Sequence, residues 1–190
     1  MSKSICVFSA SSNAIDINYF KFARKLGEEI ARRKYTLIFG GGEVGLMGAV
    51  AAGVRKNGGA IVGVIPKALN QPGIAYRDAD HLIETRDLRQ RKAIMESRAD
   101  AFFALPGGFG TLEESLEIIT LKQLRLLDKP FVFLNVNNFY EPLIALFEYL
   151  YQERFAKQHF RQLYFFAKTI EEAFEYLDNY QPVELEAKWF

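Results

Sequence analysis

Six short runs, SICVFS, YTLIFG, AIVGVIP, DHLIET, AFFALP and PFVFLN, recur through the first 135 residues, each rich in β-branched or aromatic side chains. Most are apolar throughout instead of alternating with polar residues. A strand of that kind is buried on both faces, as in a parallel sheet covered by helices above and below. The stretches between the runs supply those helices. Residues 16–33 open with Asp16 as an N-cap and place Phe20, Ala23, Leu26, Gly27 and Ile30 on one face, and residues 45–57, 86–99, 111–126 and 139–154 carry similar patterns. The expected fold is therefore a doubly wound, Rossmann-like α/β arrangement with a mainly parallel sheet and helices on both faces. Sheets of this type bind ligands outside the carboxyl ends of their strands, where the strand order reverses. The loops that follow strands are the places to search.

A length of 190 residues suits a single domain with a sizeable core, so one α/β domain is expected over residues 1–190. The aromatic-rich last forty residues read as helices with a short strand in LYFFA at the sheet edge. The formal net charge of +1 offers no global field for nucleic acid or an acidic membrane, so any anion site must be local. Cys6 is the only cysteine, which excludes an intramolecular disulfide and a Cys-rich zinc site and points to a reducing compartment. Every apolar run is broken well short of the ~18 residues of a membrane span, and the N-terminal stretch is too short for a signal peptide. A cytoplasmic setting follows as an expectation. The two histidines, His81 and His159, stand in unrelated contexts, and no Ser-His-Asp arrangement has the right surroundings, so neither metal nor acyl-enzyme chemistry is expected.

Three loops after strands could hold a ligand. FSASSN follows the first strand and offers three serine hydroxyls, Ser11 among them, although such residues are also ordinary turn formers. FGGGEVGLMGAV follows the second and contains Gly40-x-Gly42-x-x-Gly45, formally a dinucleotide fingerprint. That fingerprint expects an acid at the end of the next strand, yet the next strand ends in Pro66 and Lys67. A glycine turn against a phosphate or sugar is the better reading. The third, LPGGFGTLEE, follows the fifth strand, with Gly107, Gly108 and Gly110 permitting close backbone approach and Thr111 taken as the start of a helix. Free N–H groups and the macrodipole at a helix start favour an anion such as phosphate. No Lys-Ser/Thr follows the last glycine, which argues against a triphosphatase loop.

Glu114 has two readings. The spacing Thr111-x-x-Glu114 is a capping box, in which the carboxylate would reach back to its own helix start. An anion so close to a phosphate loop also makes sense if it faces a part of the substrate that becomes positive. The stretch RDLRQRKAIMESR just upstream is either a solvated basic face or the source of a forked cationic donor, Arg91, directed at an anionic substrate.

Taken together, VFSASS, FGGGEVGLMGAVA, VIPKAL, RKAIMESRADAFFALPGGFGTLEE and TLKQLRLLDKPFVFLNVNNFYEPL resemble the Lonely Guy (LOG) family of cytokinin-activating nucleoside 5′-monophosphate phosphoribohydrolases, over most of the chain to about residue 155. The resemblance implies cleavage of the N-glycosidic bond of an adenine or N6-substituted adenine nucleotide, without a cofactor. It assigns Arg91 and Glu114 as the catalytic pair and places Lys92, Gly107, Gly108, Gly110, Thr111 and Thr120 among substrate-binding positions. Gly41 and Gly42 match the family's other glycine turn. Two positions depart from the family pattern: Ala10 stands where a glycine is common, and Gly73 where a glutamate is. The family name "lysine decarboxylase" draws no support from the sequence, since no lysine stands in a recognisable Schiff-base context. The resemblance also implies a homodimer, and Leu116, Ile119, Leu124 and Leu127 exceed what one helix face needs against its own sheet. A non-catalytic purine-nucleotide sensor or carrier would use the same loops.

Overall fold

The computed structural model describes residues 3–183. All six apolar runs form strands: β1 (Ser4–Phe8), β2 (Thr36–Phe39), β3 (Ile61–Pro66), β4 (His81–Thr85), β5 (Ala101–Ala104) and β6 (Phe131–Leu134), with a short seventh, β7 (Phe165–Ala167), inside LYFFA at the sheet edge. The strands pair in parallel in the order β4-β3-β2-β1-β5-β6-β7. The chain starts in the middle, builds outward to β4, then returns to the other side of β1. The order therefore reverses between β1 and β5.

Among the described residues, six α-helices cover the sheet: α1 (Ile17–Arg32), α2 (Gly45–Lys56), α3 (Leu88–Arg98), α4 (Phe109–Gln123), α5 (Glu141–Gln152) and α6 (Ile170–Asp178). Alternate residues of β1 show how the two faces divide. Ile5 and Val7 join the core beneath α1, α2 and α6, while Cys6 and Phe8 join the core beneath α3, α4 and α5. Burial on both faces explains the continuous apolar runs. Asp16 caps α1 as its position predicts, accepting from the Asn18 N–H at 2.7 Å, and Ala23, Leu26, Gly27 and Ile30 face the core. Among the described residues, no helix is long and apolar enough to cross a membrane.

The start of α4 differs from the expectation. The helix begins at Phe109, two residues before Thr111, with Gly108 in the cap position and no side-chain cap. Thr111 thus lies inside the first turn, and the Thr111–Glu114 capping box does not form. The 139–154 pattern is also shorter as a helix, Glu141–Gln152, because a 3₁₀ turn over Val136–Asn138 precedes it.

Candidate active site

At the carboxyl ends of the central strands lies a cavity of about 450 Å³. Its wall has two parts. Ser9, Ala10 and Ser11 from the loop after β1 face Gly108, Phe109, Gly110 and Thr111 at the start of α4, so this part stands over the β1/β5 reversal. Val44, Met47, Ile65, Leu69 and Ile74 form an apolar part over β2 and β3. Arg91 and Glu114 also line the cavity.

The loops are held together by backbone bonds. Ala10 donates its N–H to the Pro106 carbonyl at 3.2 Å, and its own carbonyl accepts from Leu46 N–H at 2.9 Å. Asn13 Oδ1 accepts from Gly45 N–H at 2.9 Å. Two amides at the start of α2 are thereby used by protein atoms. The start of α4 differs: Gly108 brings no side chain to cap it, and a Cβ at Gly108 or Gly110 would meet open space. The first turn of α4, whose N–H groups lack helical acceptors, lines the cavity. Of the two glycine turns, the one in LPGGFGTLEE leaves its helix start uncapped, whereas the start of α2 is partly taken up by Ala10 and Asn13.

The second turn serves packing. Gly45 has φ +70°, and a Cβ there would lie 2.6 Å from both the Ala10 carbonyl oxygen and the Ser12 nitrogen, so a side chain would push the β1 loop off α2. Gly40 makes room for Arg91, whose Nη2 would lie 2.1 Å from a Cβ at that position. Gly41 is buried and off the cavity wall, with its carbonyl accepting from Tyr76 N–H at 2.9 Å. Gly42 is on the wall.

Arg91 reaches from α3 across the carboxyl end of β3. Its Nε donates to the Val64 carbonyl at 3.2 Å, and its Nη2 lies 3.1 Å from Glu114 Oε1. The Glu114 side chain is only 9% exposed. Burial pushes its carboxyl above the usual range, opposed by the Arg91 guanidinium, with Glu113 adding to the rise. A carboxyl in that state can hold or accept a proton closer to neutrality than a solvated one.

Most of the residues expected from the sequence converge here. Arg91, Glu114, Gly42, Gly108, Gly110, Thr111 and Ser11 line one cavity, and Gly107 stands behind it against the Thr111 side chain. Gly41, Lys92 and Thr120 do not. Lys92 turns its ammonium to Glu113 and Glu117 of α4, and Thr120 donates its hydroxyl to the Leu116 carbonyl at 2.7 Å on the outward face of that helix. Ser9 and Gly40, which the sequence offered only as members of the FSASSN and FGGGEV loops, are on the wall as well, and the apolar part was not anticipated. Their signal was weak: the strand-end rule indicates the loops, but which side chains turn inward depends on how β2 and β3 stand beside β1.

A doubly wound α/β protein with a carboxylate, a guanidinium and an uncapped helix start at its switch point is the class that this architecture defines. Residues 47–177 match the family model described as "Possible lysine decarboxylase". The chain is 42% identical over 180 residues to a "Probable cytokinin riboside 5'-monophosphate phosphoribohydrolase LOG6" of Arabidopsis thaliana, covering 95% of this chain and 90% of that protein. It is 40% identical over 178 residues to the "Cytokinin riboside 5'-monophosphate phosphoribohydrolase LOG4" of the same plant, covering 94% and 83%. The chain belongs to this family, alongside the LOG proteins. A molybdenum cofactor carrier protein from Chlamydomonas reinhardtii has the same fold, at a TM-score of 0.72 and 23% identity, covering 94% of this chain and 97% of that one. The decarboxylase description implies pyridoxal phosphate, which is bound through a lysine Schiff base. Among the described residues no lysine lines the cavity, so the site does not fit that cofactor.

Proposed function

We propose that the protein hydrolyses the N-glycosidic bond of a purine nucleoside 5′-monophosphate, AMP or an N6-substituted AMP, to free base and ribose 5-phosphate. The observation that carries this reading is the Arg91–Glu114 pair set beside the uncapped start of α4 in one cavity. The names of the LOG relatives support it independently.

In this reading the 5′-phosphate sits on the first-turn amides of α4, aided by the helix dipole and the open space at Gly108 and Gly110. The ribose then lies between the phosphate and Glu114. As the bond from C1′ to the base nitrogen breaks, positive charge grows on the sugar, and the Glu114 carboxylate stabilises it or takes a proton from the attacking water. Water adds to C1′, and the base leaves with the bonding pair and a proton. Arg91 holds Glu114 in place and can assist the phosphate or the departing base. The apolar residues over β2 and β3 receive the base. Phosphate binding remote from the reacting carbon positions the sugar against the carboxylate.

The enzyme works as a homodimer in the cytoplasm. Leu116, Leu124, Leu126 and Leu146, on α4, just beyond it and on α5, are 40% or more exposed and supply apolar surface for a partner subunit. Thr120 lies on the same side, so a substrate role for it needs the second subunit. Light scattering is expected to give twice the mass of one chain.

The test is incubation of the purified protein with AMP and with N6-prenylated AMP, followed by chromatography of the products. Free base and ribose 5-phosphate are expected in equal amounts. Binding without cleavage would instead support a nucleotide carrier.

A further inference from the structure

Ser9 is the first residue after β1, at the point where the strand order reverses. By the register of Val7 with Phe39 and of Phe8 with Ala104, it stands level with the Gly40–Gly42 turn on one side and with Leu105 and Pro106 on the other. Neither flank brings a side chain able to form a hydrogen bond with it, since glycine has none and leucine and proline are apolar. The nearby carbonyls are already engaged, that of Phe8 by Leu105 N–H at 2.9 Å and that of Pro106 by Ala10 N–H at 3.2 Å. The Ser9 hydroxyl oxygen is buried and has no hydrogen-bond partner among the described residues. The residue as a whole is only half-buried, and it lines the cavity opposite the start of α4. A second subunit does not reach a buried atom, so completing the site with a partner leaves this hydroxyl as it is. An unpaired buried hydroxyl costs free energy that a bond to an acceptor would return.

We propose that Ser9 binds the substrate phosphate: its hydroxyl turns about the Cα–Cβ bond into the cavity and donates to an oxygen of the nucleotide's 5′-phosphate, which the first-turn amides of α4 hold from the other side. The choice of phosphate rests on the function proposed above; the unpartnered hydroxyl does not. A serine side chain has one torsion and three staggered positions, so the turn is a small change. The phosphate is the part of the substrate that lies within its reach, because Ser9 faces Gly108 to Thr111, whereas the sugar lies one turn further along α4 at Glu114. A hydroxyl that donates to an anion forms a stronger bond than one between neutral groups. Ser11, on the same stretch of wall, is exposed, so water satisfies it without a ligand. Ser9 therefore acts in opposite senses in the two states. Its hydroxyl weakens the free fold and strengthens the complex.

The experiment measures binding of ribose 5-phosphate and of inorganic phosphate to the full chain by calorimetry, alongside denaturant unfolding without ligand. Ser9→Ala is expected to weaken both affinities by about tenfold or more, the loss of one bond to a charged group. The same variant should raise the unfolding midpoint of the ligand-free protein, because the unpaired hydroxyl is gone. A serine with a purely structural role would not give that combination. Ser9→Cys restores the volume with a poor donor and is expected to bind phosphate as weakly as Ser9→Ala. Unchanged affinity in Ser9→Ala, or affinity recovered in Ser9→Cys, overturns the proposal, and leaves the proposed function standing where the wild-type protein still cleaves AMP. A ligand-free Ser9→Ala protein less stable than wild type also overturns it, since the hydroxyl then had a partner within the fold. A wild-type protein that binds neither ligand and leaves AMP intact overturns both readings.

Discussion

Glu114 is a carboxyl under two influences that pull in opposite senses: burial favours its protonated form, and the Arg91 guanidinium favours the charged one. A group so balanced is sensitive to small changes around it. Glu114→Gln keeps the shape and removes the charge, and Arg91→Ala removes the partner. Each is expected to reduce turnover of AMP or its N6-prenylated form by about 100-fold or more, the scale of a lost acid–base group. Near-normal turnover by either folded variant would exclude its catalytic role. At this scale much of the site was legible in the sequence, because Arg91 and the glycine loop carry strong local signatures. The competing capping role of Glu114 was a matter of one turn of helix, settled by α4 starting at Phe109. Lys92 and Thr120 were named by resemblance alone, and their surroundings depend on how α3 and α4 pack.

At the scale of elements, the glycine turn before α2 is a joint between two loops. Gly45→Ala would combine a φ of +70° with contacts of 2.6 Å to the Ala10 and Ser12 backbone. It is expected to lower stability by at least about 2 kcal/mol, read from denaturant unfolding. An unchanged midpoint would show that the loops do not need this contact. The end of α4 carries a second consequence. Lys122 is 3% exposed and donates to the Lys129 carbonyl and the Tyr180 hydroxyl. Burial brings its ammonium down to about 8. Its folded pKa therefore lies below the unfolded value of about 10.5, so the unfolded chain binds more protons between these limits and stability rises with pH across that window. Lys122→Met is expected to abolish this rise and to stabilise the fold at pH 7 by about 1 kcal/mol, the relief of a buried charge less its hydrogen bonds. Parallel stability curves for both proteins from pH 7 to 10 would contradict it. The strands and helices themselves were readable from apolar runs and periodicity. Asp16 marked the start of α1, whereas the start of α4 was not readable, since Gly108 caps it with backbone alone.

For the whole molecule, the decisive feature is the reversal of strand order between β1 and β5, which sets the FSASSN loop opposite the start of α4. Parallel partners are chosen by contacts far apart in sequence, so local patterns announce the sheet but not its order. The same order places β3, with Ile65, beside β2, and supplies the apolar part of the cavity. The elements around the cavity thus divide the work, with α4 offering free amides, α2 tied to the β1 loop and α3 delivering the guanidinium. The most direct measurement is a crystal structure of the Glu114→Gln variant soaked with AMP. The phosphate is expected on the Phe109, Gly110 and Thr111 amides, with C1′ facing the residue 114 side chain and adenine against Met47 and Ile65. A phosphate bound elsewhere, or a residue 114 side chain turned away from the sugar, would contradict this account.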